Sequence, residues 1–288
     1  MGVDLAHPKA RLASILSHEL WRGATCAGKE AMESPSGKRL RKRLRVSQNR
    51  RHTTFLDRQI TQRMTVPELP AVPSVHLARV RQLLEEGQRK LLGLVGPPGA
   101  GKSTLALALQ HAFPTLTQVV SMDGFHLANT ELRRLGRSGS KGAPDTFDSA
   151  GYVALLQRLR HQGADEIVYA PEFRREIEEP IAGAVPIYPQ TRIVITEGNY
   201  LLFETGHWAG VAPLLDDVWY IDVEDALRTD RLTQRHEQYG RNREDALQWV
   251  AGTDEPNARL IAMTRPRAKH IFHWDDARVD AASAPAGP

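Results

Sequence analysis

The chain has a single cysteine, Cys26, among its 288 residues. One thiol excludes an internal disulfide framework and fits a reducing compartment, so the cytoplasm is the expected location. No apolar run approaches the roughly 18 residues a membrane-spanning helix needs, and the opening residues lack the continuous apolar core of a secretory signal. The eleven histidines show no paired metal-ligand spacing. N-K-x-D is absent, which argues against a GTPase, and L-S-G-G-Q is absent, which argues against a transporter ATPase.

Charge is unevenly spread. The net charge is +4, yet residues 1–63 hold 14 Lys and Arg against 5 Asp and Glu, while the remainder holds 24 against 29. The basic balance therefore belongs to the N-terminal segment, which includes Lys38-Arg39-Leu40-Arg41-Lys42-Arg43 and lacks sustained apolar periodicity. Disorder is expected there, because few apolar contacts offset chain entropy. The favoured reading takes Met64 as the natural start, with the upstream residues an over-extended frame. A flexible basic tail and an arm for nucleic acid or an anionic surface compete with it. Nucleic acid has no support outside this tail. The expected organisation is a basic extension over 1–63, a linker over 64–74, one catalytic domain over 75–280 and a disordered end over 281–288.

The chemistry starts at Gly96-Pro97-Pro98-Gly99-Ala100-Gly101-Lys102-Ser103-Thr104, which fits G-x-x-x-x-G-K-[ST] between an apolar strand (Leu91–Val95) and a helical run from Leu105. Glycines let successive N–H groups turn inward around phosphate oxygens, and the helix adds its positive end. Lys102 can reach the β- and γ-phosphates, and the Ser103 hydroxyl can ligate Mg²⁺. The whole loop, 96–104, is expected to bind the nucleotide.

Further segments follow in order. The apolar run 116–122 ends in Asp123-Gly124-Phe125-His126, placing a carboxylate at the end of a strand on the ligand side of an open α/β sheet. Asp123 is read as the base, or a Mg²⁺ partner, near the γ-phosphate, with His126 beside it. Asp148 is expected to cap a helix, and Ser74 another. Glu172 to Ile187 suggests a lobe or hairpin over the site, with Arg174 placed to meet a substrate anion. Arg192–Glu197 has the shape of a Walker B strand, whose Glu197 would hold Mg²⁺, and Asn199 and Tyr200 follow on the acceptor side. Strands are expected near 218–222 and 269–272. Between them a helix from Glu224 carries Arg228, Arg231 and Arg235 on one face, read as a lid bringing arginine to the transferring phosphoryl group.

Taken together, G-P-P-G-A-G-K-S-T (96–104), M-D-G-F-H (122–126), K-G-A-P-D-T-F-D (141–148), P-E-F (171–173) with Arg175, T-E-G-N-Y-L-L (196–202) and D-E-P-N-A-R-L-I (254–261) resemble the uridine kinase, phosphoribulokinase and type I pantothenate kinase group. The resemblance looks closest to its nucleoside/nucleotide kinase branch, often labelled fructose-transport kinase, and covers about 75–275. It implies a P-loop NTPase of the α/β class, a doubly wound parallel sheet of about five strands with helices on both faces and a helical lid. It also implies ATP and Mg²⁺, Asp123 accepting the acceptor's hydroxyl proton, Glu197 near the metal, and Arg231 and Arg235 as lid arginines. The Asp-Ser/Thr-Tyr-Tyr pattern of uridine kinases is replaced here by Asp123-Gly124-Phe125-His126.

The expectation is γ-phosphoryl transfer from ATP to a hydroxyl of a small metabolite: a nucleoside, a sugar or a pantothenate-like acid. The alternative is an NTP-hydrolysing switch acting through a protein partner. No membrane is expected as a partner, and a homodimer is kept open as the oligomeric state.

Overall fold

The computed structural model describes residues 69–274. The expected basic extension, residues 64–68 of the linker and the expected C-terminal tail lie outside the described residues. Residues 69–73 have no regular structure, and α1 (Ser74–Glu85) begins directly after Pro73. Pro73 occupies the cap position and makes no side-chain cap bond, so Ser74 is the first helical residue and not the cap.

Strands β1 (Lys90–Val95), β2 (Thr117–Ser121), β5 (Ile193–Gly198), β6 (Asp217–Asp222) and β7 (His270–His273) form one sheet of order β2-β5-β1-β6-β7, parallel at every pairing. A parallel sheet needs crossovers, and these supply helices for both faces. The two-residue period of the strands divides them between two cores. Leu91, Val95 and Val194 face the layer holding Tyr152 and Leu156 of α4 (Ser149–Arg160). Leu92, Leu94, Ile193 and Ile195 face Val80 of α1 and Leu105 and Leu109 of α2 (Lys102–Ala112). Asp148 caps α4, its carboxylate accepting from the Gly151 N–H at 2.8 Å.

Strands β3 (Val168–Arg174) and β4 (Glu179–Ile187) form a separate antiparallel hairpin, which begins before the Glu172–Ile187 segment expected to form a lobe or hairpin. A short helix α3 (Asn129–Arg134) was not anticipated. After β6 come α5 (Asp225–Gln238), α6 (Arg243–Trp249), a π-helical turn (Val250–Asp254) and α7 (Glu255–Ala262). Helix α6 is capped by the Asn242 side chain, which accepts from the Asp245 N–H at 2.8 Å. No described helix is long and apolar enough to cross a membrane.

Candidate active site

The site lies at the carboxyl ends of β1, β2 and β5, in a cleft of about 1030 Å³. Beyond β1, Gly99 and Gly101 adopt φ of 80° and 91°, a region in which an L side chain is strained. Gly99 is doubly constrained, since a Cβ there would lie 2.7 Å from the Arg228 carbonyl. The first intrahelical bond of α2 runs from the Leu105 N–H to the Gly101 carbonyl at 3.0 Å. The N–H groups of Lys102, Ser103 and Thr104 precede it, and these three residues line the cleft. This is the anion-binding end of a helix. The Lys102 ammonium donates to the carbonyls of Gly96 at 2.8 Å and Pro97 at 3.1 Å. An ammonium has three protons, so one remains for a ligand. Burial lowers the Lys102 pKa to about 8 against the raising effect of Glu197 and Asp123.

Register brings two carboxylates together. Ser121 pairs with Glu197 across β2 and β5, and the Ser121 hydroxyl donates to Glu197 Oε1 at 2.5 Å. A 3-10 turn after β2 (Met122–Phe125) carries Asp123, whose N–H donates to Ser121 Oγ at 3.2 Å. The Arg175 guanidinium donates to Asp123 Oδ2 at 3.2 Å. Burial opposes ionisation of Asp123, but His126, protonated in the acid range where this carboxyl titrates, together with Arg175, Lys102 and Arg235 outweighs it and holds the carboxyl below its usual range. For Glu197, burial and the Asp123 charge push the pKa up. The pair therefore has one member held ionised and one driven toward neutrality.

Gly124 explains the glycine after Asp123. A Cβ there would lie 2.5 Å from the Pro171 carbonyl, so the hairpin crosses directly over the turn. That crossing brings Phe173 and Arg175 to the cleft. His126 lies between Phe147 and Phe173, with ring centroids 4.0 and 4.6 Å away. Its Nδ1 is 2.7 Å from the Asp123 carbonyl, which can only accept, so Nδ1 carries the proton. Burial lowers the His126 pKa, favouring the neutral ring with Nε2 as an acceptor.

Helix α5 covers the phosphate loop. Arg231 and Arg235 line the cleft, and neither guanidinium hydrogen-bonds or pairs with a carboxylate among the described residues. Burial, then the neighbouring Arg175 charge, lowers the Arg235 pKa. Arg228 differs from them. It is 1% exposed and donates to the Pro98 carbonyl at 3.4 Å, to Asp225 at 3.0 Å and to Glu255. It ties the phosphate loop, α5 and α7 together and does not reach the cleft.

The structure places the loop residues Pro98, Gly99, Gly101, Lys102, Ser103 and Thr104, with Asp123, His126, Glu197, Asn199, Arg231 and Arg235, on one cleft. Two expected acceptor-side residues fall elsewhere. Arg174 points away on the exposed hairpin and pairs with Glu172 at 2.9 Å, because side chains alternate along β3 and the cleft face falls to Phe173 and then Arg175. Tyr200 is buried among Phe147, Phe203 and Trp208, and its hydroxyl donates to the Gly142 carbonyl, so it holds the loop behind the cleft. Residues not singled out for the site also line it: Lys141, Trp249, Thr253, Asp254, Asn257 and Trp274. The last donates from Nε1 to the Ala100 carbonyl at 3.3 Å, beside Gly101.

No family model matches the chain. A Schizosaccharomyces pombe protein named as a candidate uridine kinase is 36% identical over 167 residues, 55% of this chain and 71% of its own length. The Escherichia coli K12 protein YggC is 31% identical over 209 residues, 71% of this chain and 86% of YggC. Among solved structures, a candidate fructose transport system kinase from Silicibacter sp. TM1040 is 38% identical, with a TM-score of 0.62 over 68% of this chain and 98% of that one.

Proposed function

The chain belongs to the P-loop small-molecule kinases of the uridine kinase-like group, and from that footing we propose that it transfers the γ-phosphoryl group of ATP to a hydroxyl of a small metabolite. The observation that carries this reading is Asp123. An ionised carboxylate stands in one cleft with Lys102, the helix end of the phosphate loop and two unpaired arginines. An acceptor hydroxyl needs such a carboxylate beside the phosphate loop to align it, which hydrolysis by a nucleotide switch does not require.

Catalysis here is mainly positioning and charge stabilisation. The main-chain N–H groups of the loop and the third proton of Lys102 hold the β- and γ-phosphates. Asp123 accepts a hydrogen bond from the acceptor hydroxyl and aims its oxygen at the γ-phosphorus. The new oxygen–phosphorus bond forms as the bond to the β–γ bridging oxygen breaks, the hydroxyl proton passes to Asp123, and ADP departs. Because surrounding cations hold Asp123 below its usual range, it is a weak base. Alignment and late proton acceptance suit it, as a loose phosphoryl transition state demands. Arg231 and Arg235, with no carboxylate partner of their own, are placed to take up charge on the transferring oxygens.

The donor set fits Mg²⁺. Ser103 at the helix start and Glu197, whose ionisation the Asp123 charge opposes, are hard oxygen donors. Among the described residues no three His, Cys, Asp or Glu side chains converge as a cage, and a hydroxyl with one or two carboxylates and substrate phosphates is the usual arrangement for this ion. Held by Ser103 and Glu197, Mg²⁺ would neutralise charge on the β- and γ-phosphates.

The test is ADP release by the full chain with ATP and Mg²⁺ against nucleosides, sugars and pantothenate, with product mass recorded. Stimulation by one compound, which gains one phosphoryl group, is the expected result. Steady hydrolysis to phosphate that no small molecule stimulates would favour the switch instead.

A further inference from the structure

The segment Asp254–Ile261 has no role in the transfer just described, yet its start opens into the cleft. A π-helical turn over Val250–Asp254 interrupts the helical layer there, an irregularity that is rare and concentrated at functional sites. It turns Thr253, Asp254 and, one turn on, Asn257 toward the cleft. Asp254 is 8% exposed, and only its Oδ2 is engaged, with His236 Nε2 at 2.9 Å. The half-buried side chains of Thr253 and Asn257 make no hydrogen bond with a described residue. A buried carboxylate with an oxygen to spare, a hydroxyl and an amide thus face the space that Asp123 borders.

The remaining surface of that space has the same character. Neutral His126 offers Nε2 as an acceptor, and Asn199 adds an amide. Among the aromatic residues of the described lining, Tyr239 is exposed at 48% and Trp274 lies against Gly101 of the phosphate loop, while the others present little open face. Phe147 is 7% exposed, and Phe173 is crowded by His126, by Lys141 at 5.1 Å and by Arg175 at 5.9 Å. Trp249 carries the Arg241 guanidinium 3.9 Å above its ring. A nucleoside base needs a flat apolar platform, whereas several hydroxyl groups need alternating donors and acceptors, since each buried polar group left unpaired is costly.

We infer that the acceptor is a small polyhydroxylated compound of the sugar or polyol class, and that Asp254 and Asn257 bind its hydroxyls remote from the one phosphorylated. This rests on the kinase reading above and narrows its acceptor. Asp254 accepts from one hydroxyl, the Asn257 amide donates to one and accepts from another, and His126 Nε2 accepts from the hydroxyl nearest Asp123. The transfer itself is unchanged: one hydroxyl oxygen gains the phosphoryl group, Asp123 takes its proton and ADP leaves.

The full chain, with ATP and Mg²⁺, is assayed against D-fructose, D-ribose, D-glucose and glycerol, and separately against uridine, cytidine and pantothenate. ATP affinity is measured alongside by calorimetry. The expected result is transfer to a sugar or polyol with kcat/KM at least tenfold above any compound of the second set. In Asn257→Ala the acceptor KM then rises about tenfold or more, consistent with loss of a binding contact, while the KM for ATP stays within twofold. Asn257→Asp, which retains an acceptor, recovers part of the loss, and Asp254→Asn raises the acceptor KM likewise. Preference for a nucleoside or pantothenate overturns the inference and leaves the kinase reading standing, as does an unchanged acceptor KM in Asn257→Ala. ATP binding with no transfer to any compound removes the kinase reading and this inference with it.

Discussion

Lys102 shows how burial sets a single residue's behaviour. Its ammonium has a pKa of about 8 because burial outweighs the neighbouring carboxylates. Triphosphate against the amine favours the charged form and raises that pKa. ATP binding at pH 8 is therefore expected to take up about half a proton at this site, falling to about a tenth at pH 7, where most of the lysine is already charged. Calorimetry in buffers of different ionisation enthalpy reads this directly, and equal uptake at the two pH values would contradict it. The identity of Lys102 was legible in the sequence, since G-x-x-x-x-G-K-[ST] fixes a residue type at a spacing. The acceptor-side arginine was not. Arg174 and Arg175 are chemically equal in a string of letters, and only the phase of β3 decides that Arg175 meets Asp123 while Arg174 meets Glu172. Tyr200 failed for a similar reason, because a tyrosine after a strand end fits a cleft or a core equally well.

Helix α5 shows the same limit one scale up. The three-and-four spacing of its arginines was read as placing all three on one face, but spacing does not say which one packs down. Arg228 packs under α7 and onto Pro98, while Arg231 and Arg235 open on the cleft. Their substitutions should separate. Arg228→Met removes a buried charge from its partners and is expected to lower stability by about 3 kcal/mol, which is a fall in Tm of roughly 6–12 °C. Arg235→Ala should leave Tm within about 2 °C and lower kcat by about a hundredfold or more, as loss of a transition-state contact does. Thermal melts and kinetics on both variants check the pair, and a normal kcat in Arg235→Ala would remove it from the transfer. The hairpin offers a second test. Gly124→Ala forces a Cβ against the Pro171 carbonyl, displacing β3 and with it Arg175. Its acceptor KM should rise while its ATP KM holds, since the phosphate loop is untouched. The π-helical turn left no trace in the sequence, because no residue type marks an i to i+5 bond as proline or glycine marks a turn.

For the whole molecule, short apolar runs alternating with helical ones suit a parallel sheet, and the resemblance implied about five strands, whereas the order β2-β5-β1-β6-β7 is seen only in the fold itself. Every side chain assigned a role lies between residues 69 and 274. A chain beginning at Met64 is therefore expected to keep kcat/KM within about twofold of the full chain, and a larger loss would give residues 1–63 a part in the reaction. The central claim is that one carboxylate at the end of β2 aligns the acceptor while the phosphate loop holds ATP independently of it. The most direct measurement is single-turnover transfer from ATP to acceptor by wild type and Asp123→Asn, with ATP affinity determined on the same samples. The account predicts that Asp123→Asn binds ATP within about threefold of wild type and transfers about 10²–10⁴-fold more slowly. Transfer at the wild-type rate would contradict it.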